Sequence, residues 1–186
     1  MANFLAILVL IISTLFLPIQ VAAANESGKS AYLYETVVNT DDNLLLEKYI
    51  KLNVIRDVLK VKQSPLLNDA VFFISVCLEY EIDCYLLPSI SGLESSFGKK
   101  LVPGSHNPFG WGGGYIKFDS WQESFDSVAR GIKNIYYDRG ATTINEIAPI
   151  YAESDNWAPR VSNIYEQFEN KEREIHNLAW YNLLQL

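Results

Sequence analysis

One carboxylate, Glu94, lies between an apolar run and a loop rich in glycine and aromatic residues. The sequence around it is SGLESSFGKK, and HNPFGWGGG follows a few residues later. Glu94 is predicted in the last turn of a helix, facing the negative end of the helix dipole. Phe97, Phe109 and Trp111 are close enough in sequence to exclude water from it. Both effects favour a protonated carboxyl, which can act as a general acid toward a glycosidic oxygen.

The loop that follows Glu94 has a composition found nowhere else in the chain. Between Gly98 and Asp119 there are six glycines, two prolines and several aromatic residues. Aromatic ring faces stack on sugars, and glycine lets backbone groups approach a ligand closely. The loop is therefore predicted to form one wall of a sugar-binding cleft, as a small irregular lobe that can include a short hairpin at YIKF.

Composition and charge limit the classes of function. A chain of 186 residues that is 49% hydrophobic suits one compact domain. Its 15 basic and 22 acidic residues give a net charge of −7, which argues against nucleic acid as a partner because phosphate binding depends on clustered Lys and Arg. His106 and His176 lack the spacing of metal ligands, so no metal or other cofactor is expected.

The N-terminal segment has the pattern of an export signal. Residues 1–24 contain no charged side chain, and the continuous apolar part runs from Phe4 to Leu17. That length suits the apolar region of a signal peptide better than a membrane span, and Ala22 to Ala24 resemble a cleavage site. The protein is thus predicted to be periplasmic, in the cell envelope or extracellular. Because a basic segment is missing before Phe4, an uncleaved anchor is the alternative.

The only two cysteines are predicted to form a disulfide, as expected for an exported chain. On one continuous helix Cys77 and Cys84 would be about 10 Å apart, too far to bridge. Pairing therefore requires a turn between them, which YEIDC can supply. Two buried free thiols are the alternative.

Helical periodicity covers most of the remaining sequence. Residues 25–42 show no period and are predicted to be an irregular arm, and an apolar stripe from Leu45 to Leu59 predicts a packing helix with a break near Asn53. The later helices are predicted to start at Ser64, Asp83, Ser120, Thr143 and Trp157, with stops at Gly98, Gly140 and Pro149. This pattern predicts a mostly α-helical fold of about six helices.

Three segments together resemble a known family. LLPSISGLESSFGKK, HNPFGW and IAPIYAESDNWAPRV are similar, in this order, to motifs of the glucosaminidase-type domain of bacterial cell-wall hydrolases, in the lysozyme-like superfamily. The resemblance implies a lysozyme-like helical domain at residues 61–172, with a glycan cleft between the helical body and the small lobe. Residues 25–60 would then be an arm and packing helix, and residues 173–186 a C-terminal tail.

The resemblance also implies roles for single residues. Glu94 matches the catalytic acid of the family's E-S-x-x-G motif, and Tyr151 matches the first aromatic residue of its Y-A-x-x-x-x-(Y/W)-A motif, near the acid. Seven further residues are expected to contact the glycan: Ser96, Phe97, Asn107, Phe109, Gly110, Trp111 and Trp157. A second catalytic acid near the lobe could be Asp119 or Glu123, although both are also explained as helix caps.

The function implied by the resemblance is that of an exported peptidoglycan hydrolase. It would cleave a β-1,4 bond of the glycan, most simply as a monomeric endo-β-N-acetylglucosaminidase acting on peptidoglycan glycan strands, with other envelope proteins as candidate recruiting partners. A lytic transglycosylase or a muramidase on the same fold is an alternative. Another is a non-catalytic module that binds glycan or scaffolds an envelope assembly.

Overall fold

A computed structural model describes the backbone from residue 24 to residue 183 and the side chains from residue 42 to residue 178. Except for Ala24, the predicted signal peptide lies outside these residues, so it stays a prediction. The chain divides into two units, residues 1–44 and residues 45–186, and the second unit contains the whole predicted domain. Of the helices in the described part, none is long and apolar enough to cross a membrane.

Helices dominate residues 24–183, which contain six α-helices, two 3₁₀ helices and no strand. The α-helices are α1 (Ala24–Val61), α2 (Ala70–Glu79), α3 (Leu86–Ser95), α4 (Trp121–Ile135), α5 (Ile144–Tyr151) and α6 (Trp157–Leu183), and the 3₁₀ helices are Pro65–Asp69 and Tyr137–Arg139. The predicted mostly α-helical fold is confirmed. Residues 115–118, where a hairpin was considered, lack strand pairing, so the lobe is irregular throughout.

Helix α1 is longer and more regular than the sequence predicts. Its backbone is helical from Ala24, where an irregular arm was expected. The predicted break near Asn53 is wrong, because the helix is continuous through this residue, whose side-chain amide donates a 2.9 Å hydrogen bond to the Tyr49 carbonyl. No proline and only one glycine, Gly28, interrupt residues 25–61, so local chemistry does not oppose a helix there.

The buried face of α1 differs from the predicted stripe. Leu45 and Tyr49 were expected to pack, yet their side chains are 62% and 64% exposed. The buried residues of this helix are Ile50, Val54, Ile55, Val58 and Leu59. The stripe thus begins one turn later, and its spacing of four residues remains that of a helix face.

Several predicted helix starts are found, because capping depends on local sequence. The Ser64 hydroxyl accepts a hydrogen bond from the Leu66 amide at the start of the first 3₁₀ helix, and Trp157 is the first residue of α6. Asp83 is not the cap of α3. Its carboxylate instead accepts from the Tyr85 amide at 2.8 Å, in the turn that precedes the helix.

Helix ends follow the prediction less closely. Helix α3 ends at Ser95, three residues before Gly98, because Ser96 has a left-handed conformation with φ of 52°. Pro149 lies inside α5, which continues to Tyr151, so the predicted stop at Pro149 is wrong. Helix α6 continues to Leu183, so residues 173–183 extend the helix instead of forming a separate tail.

An aromatic cluster joins the irregular lobe to the helical body. The Phe73 ring of α2 stacks on Phe125 of α4, with ring centroids 4.4 Å apart. Phe109 of the lobe meets Phe125 edge to face at 5.7 Å, and all three rings are buried. On the other side of the body, α6 packs against α3 and α5. The lobe is thus fixed beside the end of α3, where Glu94 lies.

The predicted disulfide is present. Cys77 of α2 and Cys84 are bonded, with their α-carbons 4.9 Å apart. The turn between them is closed by a 3.0 Å hydrogen bond from the Ile82 amide to the Cys77 carbonyl. A disulfide is typical of proteins in oxidising compartments, so this pairing is compatible with the predicted export.

Removing the disulfide is expected to lower the free energy of unfolding by about 2–3 kcal/mol, because a short closed loop no longer restricts the unfolded chain. Urea unfolding of the wild type, with and without dithiothreitol, measures the change. The double variant Cys77→Ser, Cys84→Ser should already be destabilised and should not respond to dithiothreitol. An unchanged unfolding midpoint for the fully reduced wild type would contradict this prediction.

Candidate active site

Glu94 is the penultimate residue of α3, so its position in the last helical turn is as predicted. The expected aromatic cover is absent, because Glu94 is exposed whereas Phe97 and Phe109 are only 6% and 0% exposed. Left-handed conformations at Ser96 and Phe97 reverse the chain and place the Phe97 ring over Gly92. Glu94 is therefore a solvent-accessible carboxyl at a helix end.

One oxygen of the Glu94 carboxyl is held by Trp157. The indole nitrogen of Trp157 donates a 2.8 Å hydrogen bond to Glu94 Oε1. The Trp157 ring is 4% exposed and stacks on Tyr151, with ring centroids 4.8 Å apart. Its ring face is therefore covered by Tyr151. Trp157 therefore positions the Glu94 carboxyl, and its contact with the glycan stays a prediction.

The lobe reaches Glu94 at Gly110. A methyl group built on Gly110 would lie 3.1 Å from Glu94 Oε2, and Gly110 has a φ of 64°. A side chain here would be strained and would crowd the carboxyl. Glycine at this position therefore lets the lobe backbone lie directly against the acid.

Tyr151 ties α5 to the lobe beside Gly110. Its hydroxyl donates a 2.7 Å hydrogen bond to the Phe109 carbonyl, and its ring lies 5.8 Å from that of Trp111. Burial raises the pKa of Tyr151 well above its ordinary value, and the negative charge of Glu94 raises it further. Tyr151 therefore stays a neutral hydrogen-bond donor, and it fixes the loop that contacts the acid.

Asn107 has a structural role that the sequence did not indicate. Its amide nitrogen donates to the carbonyls of Trp111 and Ile116 at 2.9 Å and 3.0 Å, and its amide oxygen accepts from the Trp111 amide at 3.0 Å. The side chain is 4% exposed. Asn107 and Phe109 are thus both buried within the lobe, and their contact with the glycan stays a prediction.

Replacing Asn107 by Ala is expected to lower the free energy of unfolding by about 2–4 kcal/mol, because three partly buried backbone groups of the lobe lose their partner. Urea unfolding followed by tryptophan fluorescence measures this. Asn163→Ala, at an exposed position of α6, is the matched control and should change stability by less than about 0.5 kcal/mol. Equal stability of the two variants would show that Asn107 does not hold the lobe.

Ser96 and Phe97 also have structural roles. Ser96 is the C-terminal cap of α3, and the carbonyl of buried Phe97 accepts a 2.8 Å hydrogen bond from the Ser64 hydroxyl. Phe97 is thus turned into the core, and its contact with the glycan stays a prediction. Neither residue lines the cavities described beside Glu94.

Two adjacent cavities flank the contact between Glu94 and Gly110. One, of about 330 Å³, is lined by Gly110, Gly112 and Gly113 and by aromatic residues, among them Trp111, Tyr136 and Tyr151. The other, of about 390 Å³, is lined by Glu94 and Trp157 and by the polar residues Glu153, Ser154, Asn156 and Arg160. An aromatic, glycine-rich subsite thus lies on one side of the acid and a polar, charged subsite on the other.

The three motifs of the sequence meet at this one place. Glu94 of the first motif contacts Gly110 of the second and Trp157 of the third, and Tyr151 of the third motif contacts Phe109 of the second. No family model and no curated protein matches the chain. The motifs and their meeting point are therefore the basis for assigning a function.

A larger cavity, of about 830 Å³, lies between the end of α1 and the middle of α6, and none of the predicted site residues lines it. Lys171 forms ion pairs there with Asp57 at 3.4 Å and with Glu174 at 3.2 Å. Three of the charged side chains that line this cavity are thus paired with one another. Size alone does not make this cavity the better candidate for a functional site.

Of the two acids considered for a second catalytic role, Glu123 uses its carboxylate in a structural hydrogen bond, whereas Asp119 takes part in that bond only through its backbone amide. Glu123 accepts a 2.6 Å hydrogen bond from the Asp119 amide, and the Ser120 hydroxyl accepts from the Glu123 amide at 3.1 Å. Neither Asp119 nor Glu123 lines the two cavities beside Glu94.

The sequence motifs assign no role to Glu153, in the turn between α5 and α6, or to Arg160 of α6. Both residues line the polar cavity beside Glu94. The signal that could have identified them is their position, since the motif aromatic residues Tyr151 and Trp157 bracket this turn and Arg160 follows closely.

Proposed function

We propose that this protein is an exported peptidoglycan hydrolase in which Glu94 is the general acid. The supporting observation is that an accessible carboxyl, fixed by the Trp157 indole, lies where two cavities of about 330 and 390 Å³ adjoin. Pockets for small ligands have volumes of about 300–1,000 Å³. Both cavities fall in this range, as expected for two sugar subsites on either side of a cleaved bond.

A glycan strand bound across both cavities would place a glycosidic oxygen beside Glu94. The bound sugar would displace water from the carboxyl, which favours the protonated form that a general acid requires. Trp111, which is partly exposed, offers ring surface to one sugar. Asn156 and Arg160 offer hydrogen-bond donors to the other side. The protein would act as a monomer on peptidoglycan strands, with other envelope proteins able to recruit it.

An endo-β-N-acetylglucosaminidase is the activity that the motif resemblance favours. A muramidase or a lytic transglycosylase could use the same acid at the same cleft, and the three differ in the sugar end that they release. A glycan-binding or scaffold module is the non-catalytic alternative. The exposed carboxyl fixed at the junction of the cavities favours the enzyme, because binding alone would not require a positioned acid.

Digestion of purified cell-wall sacculi, followed by mass spectrometry of the released sugar ends, tests the proposal. Reducing N-acetylglucosamine ends are expected from the wild type and not from Glu94→Gln. Reducing muramyl ends would identify a muramidase, and anhydro ends a transglycosylase. If neither protein released sugar while both still sedimented with the sacculi, the protein would be a glycan-binding module and the proposal would be wrong.

A further inference from the structure

Glu94 is not the only carboxylate of its cavity. Glu153 lines the same 390 Å³ cavity, in the loop that connects α5 to α6. Its side chain is exposed, and it forms no hydrogen bond or ion pair with any residue whose side chain the structure describes. Unlike the Glu123 carboxylate, it accepts no hydrogen bond at a helix start. Its carboxylate is therefore available to a ligand or to water in the cavity.

The loop that carries Glu153 is anchored at both ends next to the acid. On one side, Tyr151 is hydrogen-bonded to the lobe at Phe109. On the other side, the Trp157 amide donates a 3.0 Å hydrogen bond to the Ser154 carbonyl, and the Trp157 indole holds Glu94. The position of Glu153 relative to Glu94 is thus set by the same contacts that position the acid.

The two carboxylates have different surroundings. Glu94 is in the last turn of α3, at the negative end of that helix dipole, and the Trp157 indole holds one of its oxygens. Glu153 lies in the connection between α5 and α6, and the cationic side chain of Arg160 lines the same cavity. The positive charge of Arg160 suits a carboxylate that acts as a base, as in other pairs of acids with divided roles.

We propose, resting on the proposed function, that Glu153 is the second catalytic carboxylate and activates the attacking water. Glu94 would give its proton to the glycosidic oxygen as the bond from that oxygen to the anomeric carbon breaks. Glu153 would take a proton from a water whose oxygen bonds to the same carbon. One water is consumed, two sugar ends are formed, and solvent restores both carboxyls to their starting states.

This assignment fixes the type of product. Because water attacks directly, the new end is a reducing sugar with inverted anomeric configuration, and no anhydro sugar is formed. Inverting hydrolases need room for that water between the acid and the base. The cavity that both carboxylates line supplies such room.

The test compares Glu153→Gln with Asp155→Asn, because Asp155 is an exposed acid of the same loop that does not line the cavity. We expect Glu153→Gln to release sugar ends at least about 100-fold more slowly than the wild type, with unchanged binding to sacculi. Asp155→Asn should stay within about 2-fold of the wild type. Azide should restore turnover to Glu153→Gly and not to Glu94→Gln, and NMR of a soluble glycan should show an inverted product.

The outcomes separate this inference from the proposed function. If the wild type and Glu153→Gln release reducing ends equally fast while Glu94→Gln is inactive, Glu153 is not catalytic and the hydrolase function stands. Anhydro ends or a retained anomeric configuration from the wild type would also overturn the role of Glu153. A wild type that releases no sugar at all would overturn the proposed function, and this inference with it.

Discussion

Replacing Glu94 by Gln is expected to lower the rate of glycan release by about 100- to 10,000-fold, the usual contribution of a general acid. Glutamine keeps the shape of the side chain, and its amide oxygen can still accept the hydrogen bond from Trp157. The substitution therefore removes the transferable proton and little else. Initial rates of reducing-end formation on sacculi measure the effect.

Glu79→Gln is the matched control, because Glu79 is an exposed glutamate in the last turn of another helix, α2. Both variants should unfold within about 0.5 kcal/mol of the wild type, since both side chains are exposed. Only Glu94→Gln should lose activity. If it kept more than a tenth of the wild-type rate, Glu94 would not be the acid.

Local chemistry explains the parts of the fold that the sequence predicts well. Thr143 and Glu146 form the predicted capping box at the start of α5, with hydrogen bonds in both directions. Ser64 and Pro65 likewise open their helix as predicted. These features depend on residues three or four positions apart, so the sequence contains all the information they need.

Features that depend on distant contacts could not be predicted in the same way. Pro149 was expected to end α5, yet the helix continues through Tyr151, whose hydroxyl is held by the lobe at Phe109. The expected break at Asn53 fails similarly, because this part of α1 packs Val54 and Ile55 into the core. Burial of a helix face outweighs a weak local preference for ending the helix.

The candidate site likewise combines features that the local sequence predicts with features that depend on distant contacts. The location of Glu94 in a last helical turn follows from its neighbours in sequence, and the family resemblance implies that Tyr151 lies near it. The side-chain orientations of Phe97 and Asn107 could not be predicted. That of Phe97 depends on left-handed backbone conformations, and that of Asn107 depends on hydrogen bonds within the folded lobe. A motif identifies which segments meet, whereas only the folded chain decides which side chains face the cleft.

The contacts around Glu94 also assign different tasks to the motif aromatics. Tyr151 holds the lobe against the acid, and Trp157 holds the acid itself. Trp111 lines the aromatic cavity, and none of the hydrogen bonds around Glu94 uses its side chain. Loss of the Trp157 side chain should therefore lower kcat more than it changes KM. Loss of the Trp111 side chain should raise KM more than it changes kcat.

Replacing Trp157 by Phe is expected to lower kcat by about 10- to 100-fold, since a hydrogen bond to a charged group contributes about 1.5–3 kcal/mol. Phenylalanine keeps a ring that can stack on Tyr151 but has no N–H to hold Glu94 Oε1. Because the Trp157 ring is buried and stacks on Tyr151, KM should stay close to the wild-type value. Steady-state kinetics on a soluble peptidoglycan fragment separates the two constants.

Trp121→Phe is the matched control for this change. Trp121 is a partly buried tryptophan at the start of α4, where it contacts His106 and not Glu94. Trp121→Phe and Trp157→Phe remove the same ring volume, so both should lower the free energy of unfolding by about 1–2 kcal/mol. Trp121→Phe should leave kcat unchanged. If Trp157→Phe and Trp121→Phe lowered kcat equally, the effect would come from packing. A selective fall in kcat for Trp157→Phe would instead show that the orientation of the carboxyl limits the reaction.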